Sequence, residues 1–343
     1  MYSIVESPIL NNLPNLTFVT LMLSRSCESS FRMKVRNKTR QVQHKQGYHI
    51  VFVTGKSHSR CNQQIHQENL QFHDVLQFDH TDSYHNLTLS VLYSLHFLHN
   101  LSLPVQYVLK TDSDCVVNYP LLHRLLDQIP PSSASRNRVY MGACRRNTKY
   151  NVYDASKKNF IPISLTQNEL WYSYYVTGGG YVLSYSLLPE LLVGASHLKF
   201  IGHFEDVNVG RALELVGVKC IDRSSVWIHR HGCPDKQTCL KAVVMHPKHD
   251  KDEIDRFYSY LALTICCPHT NNRFSNAFLP GCSFDFVTPR FWSSFFSLCY
   301  INSKTPIPII IINHFSTPVF PSYLFTKSIV PCFLLLFALR SKR

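Results

Sequence analysis

The stretch YVLKTDSDCVVN, residues 107–118, joins an apolar run to two aspartates separated by one serine. Residues 106–111 have the apolar character of a buried strand, so Asp112 and Asp114 follow where that strand is predicted to end. Side chains two residues apart on an extended backbone point to the same side, and both carboxylates could then reach one divalent cation. The alternative is that the two acids only end the strand as a turn.

Strand-like and helix-like stretches alternate around these residues. The predicted strands are residues 48–54, 74–79 and 106–111. A helix is predicted over 86–100, because Val91, Leu95 and Leu98 share one face by their spacing. This alternation predicts an α/β fold with a mostly parallel central sheet flanked by helices.

A second helix is predicted after Asn118, which has the character of an N-cap. Pro120 would then lie just inside the first turn. The buried face of this helix is predicted to contain Leu122, Leu125, Leu126 and Ile129. In an open α/β sheet, ligands collect at the carboxyl ends of the strands, which is where the two aspartates are expected.

The composition fits a globular protein with an anionic partner. The chain has 343 residues, 45% of them apolar, and a formal net charge of +13. Such a charge suits nucleic acid, a lipid surface or a phosphorylated small molecule. We find no basic stripe interleaved with aromatic residues and predict no nucleic-acid partner. The basic residues between Arg32 and Arg40 are interpreted either as a solvated face or as a phosphate site.

Cysteines and glycosylation triplets predict a secretory compartment. The chain has 12 cysteines, and acceptor triplets begin at Asn15, Asn37, Asn86 and Asn100. The cysteine spacing does not resemble a zinc site, so disulfides are expected, with Cys233 and Cys239 as a local pair.

Neither end of the chain has a clear membrane span. The apolar stretch at 16–23 is far shorter than the roughly 20 residues that a span needs. Residues 1–14 are interpreted as a residual N-terminal segment. Residues 263–343 are rich in Phe, Ser, Pro and Ile and show no helical period. They are interpreted as a membrane-associated tail, a genuine extension or read-through of sequence that is not normally translated, and the last interpretation is preferred.

Three further blocks occur in order with the aspartate stretch. They are FDHTDSYHNLTLSVLY at 78–93, YVTGGGYVLS at 175–184 and FEDVNVG at 204–210. Together with residues 107–118 they resemble motifs of the β-1,3-galactosyltransferase family, glycosyltransferase family 31. The resemblance spans about residues 15–262, which we interpret as the catalytic domain.

The resemblance implies a GT-A fold and an inverting hexosyltransferase. Such an enzyme moves galactose, N-acetylglucosamine or N-acetylgalactosamine from a UDP-sugar to the 3-hydroxyl of a glycan on a glycoprotein or glycolipid, with manganese. It also implies the Golgi membrane, a luminal catalytic domain and an N-terminal anchor that is missing from this chain.

Site residues follow from the same resemblance. Asp112 and Asp114 match the metal and diphosphate motif, and Lys110 keeps its leading lysine as a nucleotide contact. A histidine after an apolar pair matches His246 as a further metal ligand. Two other histidines are alternatives for that ligand: His229 and His231.

Asp206 matches the proposed general base. A carboxylate is needed because an acceptor hydroxyl is a poor nucleophile at neutral pH. The alternative is that Asp206 caps the helix that it begins, and Glu205 is the second choice for the base.

Three further residues are predicted to contact the nucleotide. Gly178 and Gly179 would let the backbone approach a ligand closely, unless they form a flexible turn. Asp82, with Tyr84, either shapes the nucleotide pocket or caps the following helix.

The first family block is altered. Arg32 and Arg36 keep their spacing, but the following threonine is displaced and the tryptophan is absent, while Ser113 replaces the middle aspartate of the triplet. The alternative function is therefore a catalytically silent luminal protein of the same fold that binds sugar or UDP.

Overall fold

The computed structural model describes residues 2–10, 16–39, 43, 46–130, 136–146, 148–157, 159–166, 174–201, 203–229, 236–246 and 251–266. The chain divides into two compact units, Met1–Ala262 and Leu263–Arg343. Beyond residue 266, the interpretation of the tail lies outside the described residues.

The strands are β1 (Ile4–Glu6), β2 (Leu16–Leu23), β3 (Tyr48–Lys56), β4 (Val75–Thr81), β5 (Val105–Asp112), β6 (Val116–Val117), β7 (Tyr140–Arg145), β8 (Tyr175–Ser184), β9 (Ile221–Asp222), β10 (Ile228–His229) and β11 (Val244–Met245).

The helices are α1 (Ser29–Thr39), α2 (Ser59–Phe72), α3 (Leu87–Leu101), α4 (Tyr119–Asp127), α5 (Leu188–Ser196), α6 (Glu205–Leu215), α7 (Ser224–Trp227), α8 (Lys236–Leu240) and α9 (Lys251–Cys266). Short 3₁₀ turns are formed by Tyr84–Asn86, Ile163–Leu165 and Tyr185–Leu187.

Eight strands form the central sheet in the order β1-β4-β3-β2-β5-β8-β7-β9. The four strands β4, β3, β2 and β5 run parallel, as do β7 and β9. The pairs β1–β4, β5–β8 and β7–β8 are antiparallel. The α/β prediction with a mostly parallel central sheet is therefore confirmed.

Local predictions near the aspartates are confirmed with small shifts of boundary. The strand predicted at 106–111 is β5, and the helix predicted over 86–100 is α3. The side chain of Asn118 caps α4 by accepting from the Leu121 N–H at 3.1 Å. Ile129 is buried but lies beyond the end of α4.

The N-terminal segment is part of the sheet. β1 pairs with β4, and Leu10 is buried in the core. The predicted boundary at residue 15 is therefore wrong, because residues 4–10 pack as an edge of the same folded unit. β2, predicted only as an apolar stretch too short to span a membrane, is a buried central strand between β3 and β5.

Both faces of the sheet are covered. Along β5, Val108 points to the face that packs against α3, α5 and α6. Tyr107 and Leu109 point to the opposite face, where α4 and Trp227 contribute to the core. This alternation follows from the two-residue period of a strand.

Arg32 and Arg36 are buried, so the solvated-face interpretation is wrong for both. Arg32 pairs with Glu68 at 2.7 Å, and Arg36 pairs with Glu68 and Asp74, each at 2.8 Å. These arginines fasten α1 to α2 and to the start of β4. Because their donors are used inside the fold, the phosphate-site alternative does not hold for them either.

Two disulfides join elements that are distant in sequence, Cys27–Cys61 and Cys144–Cys220. Cys239 is also disulfide-bonded. Its expected partner, Cys233, lies outside the described residues. Within the part of the chain that the structure describes, no helix is long and apolar enough to cross a membrane.

Candidate active site

The aspartate stretch lies at the carboxyl end of the parallel strands. Asp112 is the last residue of β5 and pairs in register with Leu23 at the end of β2. The Ser113 N–H donates to the Leu23 carbonyl at 2.8 Å, so the chain turns there against the neighbouring strand. Asp112 and Asp114 thus project from the edge at which α/β sheets bind ligands.

Lys110 is a buried lysine with three acceptors. It is 1% exposed, and its Nζ lies 2.8 Å from Asp112 Oδ1, 2.6 Å from Glu205 Oε1 and 2.5 Å from the Gly178 carbonyl oxygen. Burial lowers the pKa of Lys110, but Asp112 and Glu205 outweigh burial and raise it, so the ammonium stays charged. Lys110 therefore has partners inside the fold, and its contact with the nucleotide stays a prediction.

Gly178 is the backbone link between this lysine and the next helix. Its carbonyl accepts from Lys110, and its N–H donates to Asp206 Oδ2 at 3.0 Å. A Cβ at this position would lie 3.1 Å from Glu205 Oε1 and 3.4 Å from Asp206 Oδ2. Gly178 therefore makes room for two carboxylates of the protein.

The glycine block is part of β8 and not a turn before it. The Gly179 carbonyl accepts from Thr111 Oγ1 at 3.0 Å, and the Gly180 carbonyl accepts from Trp227 Nε1 at 2.7 Å. The flexible-turn interpretation is wrong, and ligand contact by Gly178 and Gly179 stays a prediction.

Glu205, the first residue of α6, is buried beneath the site. It is 4% exposed, its Oε1 pairs with Lys110, and its Oε2 accepts from the Tyr181 hydroxyl at 3.0 Å. Burial raises the pKa of Glu205 to about 7, against the opposing effect of Lys110. The sequence did not single out Tyr181, although its place directly after the three glycines was visible.

The unfolding free energy of the protein is expected to fall, relative to that of a Glu205→Gln variant, as pH rises from 4.5 to about 7. The folded state holds the Glu205 proton through this window, whereas the unfolded chain releases it near pH 4.5. The stabilisation that protonated Glu205 gives to the folded state is complete below pH 4.5 and is lost as pH rises above the pKa of the folded state, about 7. It amounts to on the order of 3 kcal/mol. Urea unfolding of both proteins across the window measures it, and a difference that does not change with pH would contradict the burial argument.

Asp206, one residue further on, is half-buried and reaches the site from the first turn of α6. Its Oδ2 accepts from Gly178 N–H, and its Oδ1 accepts from Val207 N–H at 2.9 Å. The cap position itself is Phe204, so Asp206 ties the helix to β8 and does not act as the N-cap. Burial raises its pKa, which makes the carboxylate a better proton acceptor.

Gly210, the last residue of the EDVNVG block, holds α6 close to β8. A Cβ on Gly210 would lie 2.7 Å from the Tyr174 carbonyl oxygen and 2.7 Å from Tyr175 Cβ. The helix backbone therefore contacts the strand directly, and this contact sets the position of the two acids at the start of α6.

Gly210→Ala is expected to destabilise the fold by about 1–3 kcal/mol, because added volume in a packed contact strains the surroundings. Thermal unfolding measures the effect. Gly217→Ala is the comparison, since a Cβ at Gly217 meets no atom within 4 Å and only its φ of +72° is unfavourable. Equal melting temperatures of Gly210→Ala and the parent would contradict the close contact.

Asp114 and His246 meet through a second, small sheet. β6 and β11 are antiparallel, with Val116 opposite Met245, and this pairing brings the residues that flank them together. His246 Nε2 lies 3.3 Å from Asp114 Oδ2. Burial raises the pKa of Asp114, but the contact with His246 outweighs it and the pKa is lowered, while Asp114 raises the pKa of His246.

This pair is suited to a divalent cation. One ligand atom each from Asp114, Cys115 and His246 lies within 4.8 Å of the others. Burial raises the pKa of the Cys115 thiol, which is thereby kept neutral and is a poor ligand. The remaining carboxylate and imidazole are donors that manganese accepts, so the residues present fit that ion.

The other residues predicted as metal ligands do not belong to this group of Asp114, Cys115 and His246. Asp112 is held by Lys110, and metal ligation by it stays a prediction. His229 lies in β10, but its side chain is outside the described residues, as is the whole of His231.

Asp82 has a structural partner at the same edge of the sheet. Its Oδ2 accepts from both the N–H and the hydroxyl of Ser26, each at 2.7 Å. It thereby fixes the loop after β2 against the end of β4. The helix-cap alternative is wrong, because the cap positions belong to Ser83 and Asn86, while a role at the nucleotide pocket stays a prediction.

The family model described as Galactosyltransferase matches residues 32–224, more than half of the chain. β-1,3-Galactosyltransferase 1 of Homo sapiens and of Mus musculus is 30% identical over 209 residues, covering 60% of this chain and 62% of the relative. β-1,3-Galactosyltransferase 2 of Homo sapiens is 26% identical over 217 residues, covering 62% and 50%. The chain belongs to the β-1,3-galactosyltransferase family, and it spans 62% of the length of the first of these relatives.

Solved structures of glycosyltransferases are also similar to the chain. The bifunctional glycosyltransferase WbbM has a TM-score of 0.42 at 14% identity, covering 74% of this chain and 51% of its own. Galactosyltransferase LgtC has a TM-score of 0.38 at 10% identity, covering 71% and 95%. The family assignment rests on the family model and the sequence relatives.

Proposed function

We propose that this chain is an inverting β-1,3-hexosyltransferase that uses a UDP-sugar donor and manganese. One observation carries the proposal. An acid–histidine pair and a separate half-buried carboxylate lie together at one edge of the sheet. Asp114 faces His246, whereas Asp206 is held by Gly178 on the neighbouring strand. The two sites are chemically different. Sugar transfer requires this difference, because a metal assists the departure of UDP while a carboxylate removes the proton of the acceptor hydroxyl.

Manganese, when bound by Asp114 and His246, would stabilise the negative charge that develops on the departing diphosphate. Asp206 would take the proton from the acceptor 3-hydroxyl. Inversion by a single displacement needs only one such base, on the face of the sugar opposite the leaving group.

Lys110 and Glu205 would position these groups without touching the reacting atoms. Lys110 connects Asp112 on β5 to Glu205 on α6, and Gly178 connects Lys110 to Asp206. The charged lysine also limits the repulsion between the acids, which would otherwise disfavour ionisation of Asp206.

Transfer of sugar tests the proposal. The full chain is incubated with UDP-galactose, UDP-N-acetylglucosamine or UDP-N-acetylgalactosamine and β-linked acceptor glycosides, with and without manganese. Formation of a β-1,3-linked product only with manganese is the expected result. Absence of transfer and of manganese-dependent donor hydrolysis, with UDP binding retained, would favour the silent binding protein instead.

The altered first block does not favour that alternative. Arg32 and Arg36, which keep the spacing of the block, are used in buried ion pairs with Glu68 and Asp74. The two arginines of the block therefore act through packing of α1 against α2 and the start of β4.

We also propose a luminal Golgi enzyme acting on glycoprotein or glycolipid glycans. The described disulfides support an oxidising compartment. Of the acceptor asparagines, Asn100 is exposed at the end of α3, while the amide of Asn86 donates to the Thr81 carbonyl at 2.8 Å. Asn15 lies outside the described residues.

A further inference from the structure

Aromatic rings from two separate elements cluster at the start of the helix that carries the candidate base. Tyr84 opens the 3₁₀ turn after β4, and His203 lies just before α6. Their ring centroids are 4.8 Å apart, and the ring of His85 lies 4.8 Å from that of His203. Tyr84 is 39% exposed, so a large aromatic side chain remains open to solvent at the edge of the site.

The cluster is held on two helices that are fastened to each other. Asn208, in the first turn of α6, donates to Thr88 Oγ1 of α3 at 3.1 Å and accepts from the Ile201 N–H at 2.9 Å. The ring of His203 packs on that of Phe204 at 4.4 Å. The rings of Tyr84 and His203 are therefore positioned by ordered elements, as a binding surface requires.

The cluster lies at the start of the helix that carries the candidate base, because His203 packs on Phe204, the residue before α6. His203 is three residues before Asp206 in the chain. The pKa of Tyr84 is raised by burial and next by the charge of Asp206, ahead of Asp112 and Glu205. Through its contact with His203, Tyr84 lies beside the start of α6, whose second residue is Asp206.

The chemistry of this surface suits a neutral hexose. An aromatic ring offers a flat apolar face, and the phenol and imidazoles add polar tips that can hydrogen-bond. The C–H face of a hexose can pack on such a ring while its hydroxyls meet the polar tips. An acceptor whose 3-hydroxyl gives its proton to Asp206 must place its ring close to that carboxylate, and Tyr84 and His203 are aromatic groups beside the start of the helix that carries it.

We propose that Tyr84 and His203 form the platform on which the ring of the acceptor hexose packs, with its attacking hydroxyl at Asp206. The inference rests on the proposed function, because it takes the acceptor as its ligand. It adds the residues that hold the acceptor, separate from the Asp114–His246 pair that would hold the metal.

Acceptor binding and kinetics test the platform. Tyr84→Ala and His203→Ala are expected to raise the acceptor KM about five- to tenfold, the range that aromatic packing provides, with the UDP dissociation constant unchanged. Tyr84→Phe, which keeps the ring, should stay near the parent. His66→Ala is the remote control, since His66 is exposed on α2 and pairs with Glu6.

A second measurement does not depend on turnover. Saturation-transfer NMR with the β-methyl glycosides of galactose, N-acetylglucosamine and N-acetylgalactosamine should show binding to the parent and to Tyr84→Phe, and binding that is about five- to tenfold weaker in Tyr84→Ala. An increase in the donor KM alone would assign the rings to the nucleotide and overturn the proposal. Unchanged binding of the glycosides by both alanine variants, or no binding by the parent, would overturn it too. A parent that binds glycosides but does not transfer sugar would refute the proposed function and leave the platform supported.

Discussion

Asp206→Asn is expected to lower the rate of sugar transfer about a hundredfold to ten-thousandfold, the usual contribution of a general base. The amide cannot accept the proton of the acceptor hydroxyl. Binding of UDP and manganese is expected to remain, because Asp114 and His246 flank the small sheet of β6 and β11, whereas Asp206 is hydrogen-bonded to Gly178 of β8. Transfer rates, calorimetric UDP affinity and thermal unfolding of the variant measure the three quantities.

The same variant has a defined structural cost. Each oxygen of Asp206 accepts one backbone N–H, from Gly178 or from Val207. Asparagine has a single acceptor oxygen, so one of these hydrogen bonds is lost and about 1 kcal/mol of stability with it. Asp206→Ala loses both and is expected to be less stable. Assays below the melting transition of each variant separate this cost from the loss of the base.

Asp127→Asn is the matched control, since Asp127 is exposed at the end of α4. Near-parental transfer by Asp206→Asn would move the base to Glu205 or exclude the proposed mechanism. The structure disfavours Glu205 for that role, because it is 4% exposed and both its oxygens have partners, Lys110 and Tyr181. A base must reach its substrate, and of the two acids Asp206 is the more accessible.

Features that depend on neighbouring residues were predictable from the sequence. The strand before Asp112, helix α3 and the Asn118 cap each follow from a period or a side chain within a few residues. β2 was missed because a strand buried on both faces has no alternation and is read only as an apolar run. β1 was missed because a strand of three residues carries almost no pattern.

The interior of the site was less predictable, because it depends on long-range pairing. Lys110 and Gly178 are 68 residues apart and meet only when β8 pairs with β5. Gly178 was interpreted as a ligand contact, since the sequence cannot show that Glu205 and Asp206 occupy the space beside it. His246 was proposed by resemblance, and its contact with Asp114 depends on the pairing of β6 with β11.

Asp114→Asn is expected to abolish measurable manganese binding and to lower transfer by at least about a hundredfold, the usual cost of losing a preorganised group that stabilises developing charge. Asparagine keeps the shape of the side chain but removes the negative charge that attracts the cation. His246→Ala is expected to act in the same direction, because it removes the imidazole donor 3.3 Å from Asp114. Electron paramagnetic resonance of added manganese measures the bound fraction directly, without turnover.

Two further variants make this experiment decisive. Cys115→Ser tests the third member of the group, and manganese binding should persist, since burial raises the pKa of the thiol and keeps it neutral. Asp112→Asn removes a partner of Lys110 and is expected to disturb both the metal and the base, because Lys110 is shared with Glu205.

Equal manganese binding by the parent, Asp114→Asn and His246→Ala, or parental transfer in excess chelator, would show that these residues hold no catalytic metal. In that event the Asp114–His246 contact would be only an ion pair that fastens β6 to β11.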